Sequence, residues 1–169
     1  MSDVTNVKVG PCSVTFNSVD VGHTIGGIEV VYSPQYKDIK VDKYGESIVE
    51  KVQTGEGLMV KCKLAESVYA NIQNAIPLGT LAAATRLTIG KEAGARLSSV
   101  AHELVLHPLE NGAGDLSDDI VLYKAVIVNE VTIPYKYDEE RVLEVEFFAL
   151  VDESKSDGAI LGLIGDSTA

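Results

Sequence analysis

The chain has 169 residues, and 14 lysines and arginines against 25 aspartates and glutamates leave a formal charge of −11. That balance, with an isoelectric point of about 4.6, excludes a basic nucleic-acid reader, which needs a clustered cationic face to neutralise phosphates. A hydrophobic content of 46% excludes a disordered chain, and no apolar run approaches the ~20 residues that a membrane-spanning helix requires.

Valine and isoleucine number 22 and 12 against 15 leucines, a bias toward strands because branched side chains suit a pleated surface. The first predicted strand is 11–16, with Cys12, Val14 and Phe16 on one face. Strands at 28–32, 37–42 and 47–53 follow, separated by Gly26-Gly27 and Tyr44-Gly45. After a predicted turn at Gly55-Glu56-Gly57, segment 58–64 alternates most cleanly. Leu58, Val60, Cys62 and Leu64 face one way, and Met59, Lys61 and Lys63 the other. In 66–76 the period changes: Val68, Ile72, Ala75 and Ile76 fall at helical spacing, with Ser67 placed to cap and Pro77 to terminate. Strands at 86–89, 101–107, 120–128 and 141–151, with a shorter piece at 131–137, complete the set. This pattern predicts one mainly β domain of the α+β kind over 1–169. Its expected form is a two-sheet antiparallel β-sandwich or barrel, with a flanking helix at about 66–76 and a long protruding hairpin loop at about 40–57.

Three segments stand out within that frame. The hairpin at 40–57 carries Val41, Tyr44, Ile48, Val49 and Val52 among many charges, and a lone two-stranded hairpin is marginal in water, so a partner surface is expected to cover it. Strand 141–151 places Leu143, Val145, Phe147, Ala149 and Val151 on a wholly apolar face, and Glu144 and Glu146 on the other. Lys61 and Lys63 are available for cross-strand pairing with those glutamates. The run 159–164, with Ile160, Leu161 and Leu163, follows the last expected strand. Left exposed it invites aggregation, so it is expected to dock on a neighbouring subunit, or on its own sheet only after assembly.

Catalytic-looking fragments fail on spacing. His102-Glu103-Leu-Val-Leu-His107 resembles a zinc signature, but the histidines are five apart, which on a strand places them on opposite faces. The segment ending Gly165-Asp166-Ser167 resembles a hydrolase nucleophile turn but lacks the following helix and the downstream Asp-x-x-His. Segment 152–163 resembles a calcium loop with glycine at position seven rather than six and Leu163 at position twelve. His23 sits in a glycine-rich turn without an acid beside it. Cys12 and Cys62 read as two thiols in a reducing compartment. The first five residues, Met1 to Thr5, carry neither the charged nor the apolar region of a signal peptide. No enzyme activity, metal or cofactor is expected.

The order of several short motifs resembles the major tail tube proteins of siphophages. These are 10–16 (Gly-Pro-Cys-Ser-Val-Thr-Phe) and the Gly22-His-Thr-Ile-Gly-Gly27 turn leading into a strand. The hairpin 41–49, the strand 57–64 with its Glu-Ser-opened helix, and the glycine-rich tail 157–166 continue the likeness. The resemblance implies a structural virion protein, made in the host bacterial cytoplasm. Its subunits form homohexameric rings that stack into the hollow tube through which DNA is ejected, each contributing strands to a barrel lining the lumen. Implied partners are further copies of the chain, the tape measure protein, and the tail terminator and tail tip proteins, with DNA passing unbound. On this reading Val41, Tyr44, Ile48, Val49, Val52, Ile160, Leu161 and Leu163 make inter-subunit or inter-ring contacts. Glu144, Glu146, Lys61 and Lys63 are candidates for the lumen, where an acidic wall repels DNA. A ligand-binding β-barrel carrier, and a tube subunit of a contractile tail or secretion system, are the alternatives.

Overall fold

The computed structural model describes Lys8 and residues 10–168; the reading of Met1 to Thr5 concerns residues outside that range. Ten strands are formed among the described residues: β1 (Cys12–Phe16), β2 (Val19–Asp20), β3 (Glu29–Lys40), β4 (Ile48–Leu64), β5 (Thr80–Ala82), β6 (Arg86–Thr88), β7 (His102–Pro108), β8 (Ile120–Ile127), β9 (Leu143–Ala149) and β10 (Gly162–Ile164). One helix, α1 (Tyr69–Ala75), joins β4 to β5. Eight strands make a single antiparallel sheet in the order β2-β1-β7-β8-β9-β4-β3, with β10 also on β8; β5 and β6 pair separately.

Alternation decides which residues are inside. Val14 and Phe16 of β1, Leu58, Val60, Cys62 and Leu64 of β4, and Leu143, Val145, Phe147 and Ala149 of β9 are all buried in one cluster. Val151, expected with them, lies past the end of β9 and is exposed. The sheet encloses this cluster by curling. Three strand spacings separate β1 from β9, roughly 14 Å on a flat sheet, yet the Phe16 and Phe147 rings meet at 5.1 Å. The connection after β2 crosses the opening. Val21 N–H donates to the Val14 carbonyl (3.0 Å), Ala65 N–H to His23 (2.9 Å) and Ile25 N–H to Lys63 (3.0 Å). These bonds flank the isolated Thr24–Leu64 bridge, which ties that connection to the end of β4. The single chain is therefore a curled open sheet with a small second sheet, the β5–β6 hairpin, and among the described residues no barrel closes.

Two predicted breaks are absent. β3 runs through Pro34, and β4 runs through Gly55 and Gly57, so four expected strands are two long ones. Proline is tolerated because β3 is an edge strand, where a missing N–H faces solvent. Gly55 and Gly57 hold ordinary φ values and stay in the β3–β4 ladder, with bulges at Gln35/Tyr36 and Ile39/Lys40. The chain reverses at a short 3-10 turn, Asp42–Tyr44, and at Gly45 with φ +59°.

Other boundaries move for local reasons. The helix is seven residues long instead of spanning 66–76, and Ser67 donates its hydroxyl to the Arg141 carbonyl (2.9 Å) instead of capping. Asn71, buried on α1, ties the helix to the sheet by donating to the Val21 and Glu66 carbonyls (2.8 and 2.9 Å). Segment 131–137 is irregular: Val131 and Ile133 pack on the core, but Pro134 has no amide proton to give a ladder. The expected strand at 86–89 shrinks to one arm of the β5–β6 hairpin.

Candidate functional site

The most unusual element is the far half of the β3–β4 hairpin. Every residue from 35 to 54 is exposed, although Tyr36–Lys40 and Ile48–Gln53 are paired strands. At ~3.3 Å per residue this ribbon projects roughly 20 Å from the sheet body. Its side chains meet at the surface, where Lys51 contacts Asp38 (2.6 Å) and Lys40 contacts Glu46 (2.5 Å), and at its base Tyr32 donates to Glu56 (3.0 Å). Exposed pairs of this kind contribute ~0–1 kcal/mol. Val41, Tyr44, Ile48, Val49 and Val52, singled out from the sequence, all lie on it and are 41–55% exposed. Tyr36 and Ile39 belong to the same exposed set. Tyr36 falls in the expected break between two strands and joins the set because β3 is continuous.

A second feature is the polar face of β4 and β9. The register sets Lys61 opposite Glu146 and Lys63 opposite Glu144, and both pairs form, at 3.3 and 2.6 Å. All four side chains are partly exposed. They line one wall of a cleft of about 790 Å³, whose other wall is segment 129–142, with Glu130, Glu139 and Glu140. Asn129 fastens that segment: its amide donates to the Glu144 carbonyl (3.0 Å), and its Oδ1 accepts the Glu146 N–H (2.8 Å). Sequence alternation located the four charged residues on strands. It carried no signal for Asn129 or the facing glutamates, which lie in irregular chain.

The C-terminal run departs from expectation. In the single chain Leu161 is buried, and Gly162, Leu163 and Ile164 pair with Leu122, Val121 and Ile120 of β8. β9 and β10 share one edge of β8, each along half its length. The loop between them is closed by Asp152 N–H donating to the Ile160 carbonyl (2.8 Å). Docking thus needs no second copy, and Leu161 contributes to its own subunit's interior. Asp152 anchors the loop from within. Lys124 (2.9 Å) and Ser154 (2.8 Å) bond its carboxylate and hold it down at about 2.

The remaining fragments do not converge. His102 lies edge-on to Phe16 at 5.7 Å, while His107 Nδ1 contacts Asp119 at 2.7 Å. Among the described residues no three His, Cys, Asp or Glu side chains are grouped to hold a metal. Both cysteines are free thiols, and burial pushes Cys62 up to about 12. No helix among the described residues is long and apolar enough to cross a membrane. No family model and no curated protein sequence matches the chain.

Proposed function

We propose that the chain is the subunit of a hollow tube, six copies closing into a ring and rings stacking into the tail tube of a siphophage. The observation that carries this reading is the ribbon. A bare two-stranded hairpin is marginal in water, and one exposing four valines and isoleucines over 41–52 needs a surface to cover it. A neighbouring ring supplies that surface. The open curled sheet supports the same reading, because an unpaired edge such as that of β3 is a liability that pairing with the next subunit removes. In the ring the six sheets join into one lumenal barrel. The helix and the β5–β6 hairpin lie outside it and complete the two-layered sandwich. The tube forms around a tape measure protein, meets terminator and tip proteins at its ends, and passes DNA without binding it. The protein acts in the virion as a structural component, with no enzymatic role.

Size-exclusion chromatography of concentrated protein, followed by negative-stain microscopy, tests the proposal. Rings or tubes about six subunits around are expected. A monomer at every concentration, in the presence and absence of the tape measure protein, contradicts it.

A further inference from the structure

We propose that Asn111–Gly112 is a self-modification site, at which the chain converts its own asparagine to aspartate or isoaspartate and so cuts a tie that holds the turn between β7 and β8. The chemistry needs no catalyst beyond water. The Gly112 backbone nitrogen attacks Asn111 Cγ, the Cγ–Nδ2 bond breaks, and ammonia leaves with the amide proton of Gly112. Water then adds to either carbonyl of the five-membered imide, giving aspartate or isoaspartate. The step is limited by crowding at the attacking nitrogen, and of the six asparagines only Asn111 precedes a glycine.

The local structure favours this position. Gly112 is exposed, and a Cβ built there meets no atom within 4 Å. Its carbonyl accepts the Asp115 N–H (2.8 Å), while its own N–H has no partner among the hydrogen bonds of the described residues. Asn17, in the turn between β1 and β2, precedes Ser18, and any residue with a Cβ crowds the attacking nitrogen more than glycine does.

The product changes the surroundings in a defined direction. The Asn111 amide now donates to Asp118 Oδ2 (3.0 Å), and Lys8 bonds the same carboxylate. Those two contacts, with Asn111 the larger, hold Asp118 below the usual carboxylate range. A carboxylate at 111 cannot donate. It confronts Asp118 across the same gap, beside Glu110 and Asp115, with Lys8 bonded to Asp118. The turn 109–118 loses the Asn111–Asp118 tie, while Asp115 still holds Ser117, and each converted subunit gains one negative charge.

Peptide mapping by mass spectrometry, after prolonged incubation of the folded protein in mildly alkaline buffer, tests this. The peptide holding Asn111 should convert before any other asparagine peptide, and as two products of equal mass. Gly112→Ala, which meets open space and needs no left-handed backbone, should fold normally and lose the conversion. An Asn111 that stays an amide while Asn17 converts, or a Gly112→Ala chain that converts as fast as the parent, overturns the assignment.

Discussion

Replacing Val49 and Val52 by aspartate separates what the ribbon does for the fold from what it does for assembly. Both side chains are close to half exposed in the subunit. Complete burial of such a side chain stabilises by ~1.5–3 kcal/mol, so each valine has about 1 kcal/mol left to gain. Two valines in six copies bring that to on the order of 10 kcal/mol for each ring contact. Aspartate removes the gain and adds the cost of burying a charge without a partner. In the free subunit neither residue packs against the core, and surface changes of this kind usually shift stability by ~0.5 kcal/mol or less. The expected outcome is a double variant that unfolds at the parent temperature but forms no sedimenting tubes. Leu122→Ala, at a fully buried position, provides the contrast, with a loss of ~2–5 kcal/mol in the monomer. Tubes of normal length from the double variant, or marked destabilisation of its monomer, would refute the reasoning.

Four further outcomes follow. Glu144→Lys with Glu146→Lys sets lysines opposite Lys63 and Lys61 and should cost ~0.2–1 kcal/mol per pair in denaturant unfolding. Adding Lys61→Glu and Lys63→Glu should restore the loss; a reversal without cost would mean that the pairs do not form. If the proposed tube places these glutamates in its lumen, the first variant should also slow DNA ejection at low salt, with relief as salt is added, and unchanged ejection would remove them from the lumen. Because Lys124 and Ser154 hold Asp152 at about 2, below its ordinary 3.8, the stability it lends is complete above pH 3.8 and declines as pH falls toward 2. Asp152→Asn should flatten that part of the stability profile, and an unchanged slope would count against the anchor. Ala83 and Ala84 hold left-handed backbone, φ +52° and +56°, a conformation costing an L-residue roughly 1–2 kcal/mol. Ala84→Gly should therefore raise the unfolding temperature, and a lower one would contradict the turn geometry.

Much of the interior was legible because two-residue alternation survives any error in where strands begin and end. It named the buried faces of β1, β4 and β9, and it offered the Lys–Glu pairs whose register the structure supplies. The errors share one cause, the reading of local chemistry without its partner. Pro34, Gly55 and Gly57 look like breaks until the β3–β4 ladder is present to hold them. Ser67 looks like a cap until the Arg141 carbonyl competes for its hydroxyl. The run 159–164 looks exposed because nothing in sequence says that β8 has half an edge left free beyond β9. The exposed valines and isoleucines of the hairpin could be found, since turn and charge signals flank them. Asn129 could not, because an asparagine in irregular chain carries no period.

The most direct measurement is cryo-electron microscopy of the protein assembled with its tape measure partner. The account predicts a tube of stacked sixfold rings, with β3 edges paired between subunits and the ribbon of each ring, Val41 to Val52, buried against the next. Particles without sixfold rings, or tubes in which that ribbon stands free in solvent, would contradict it.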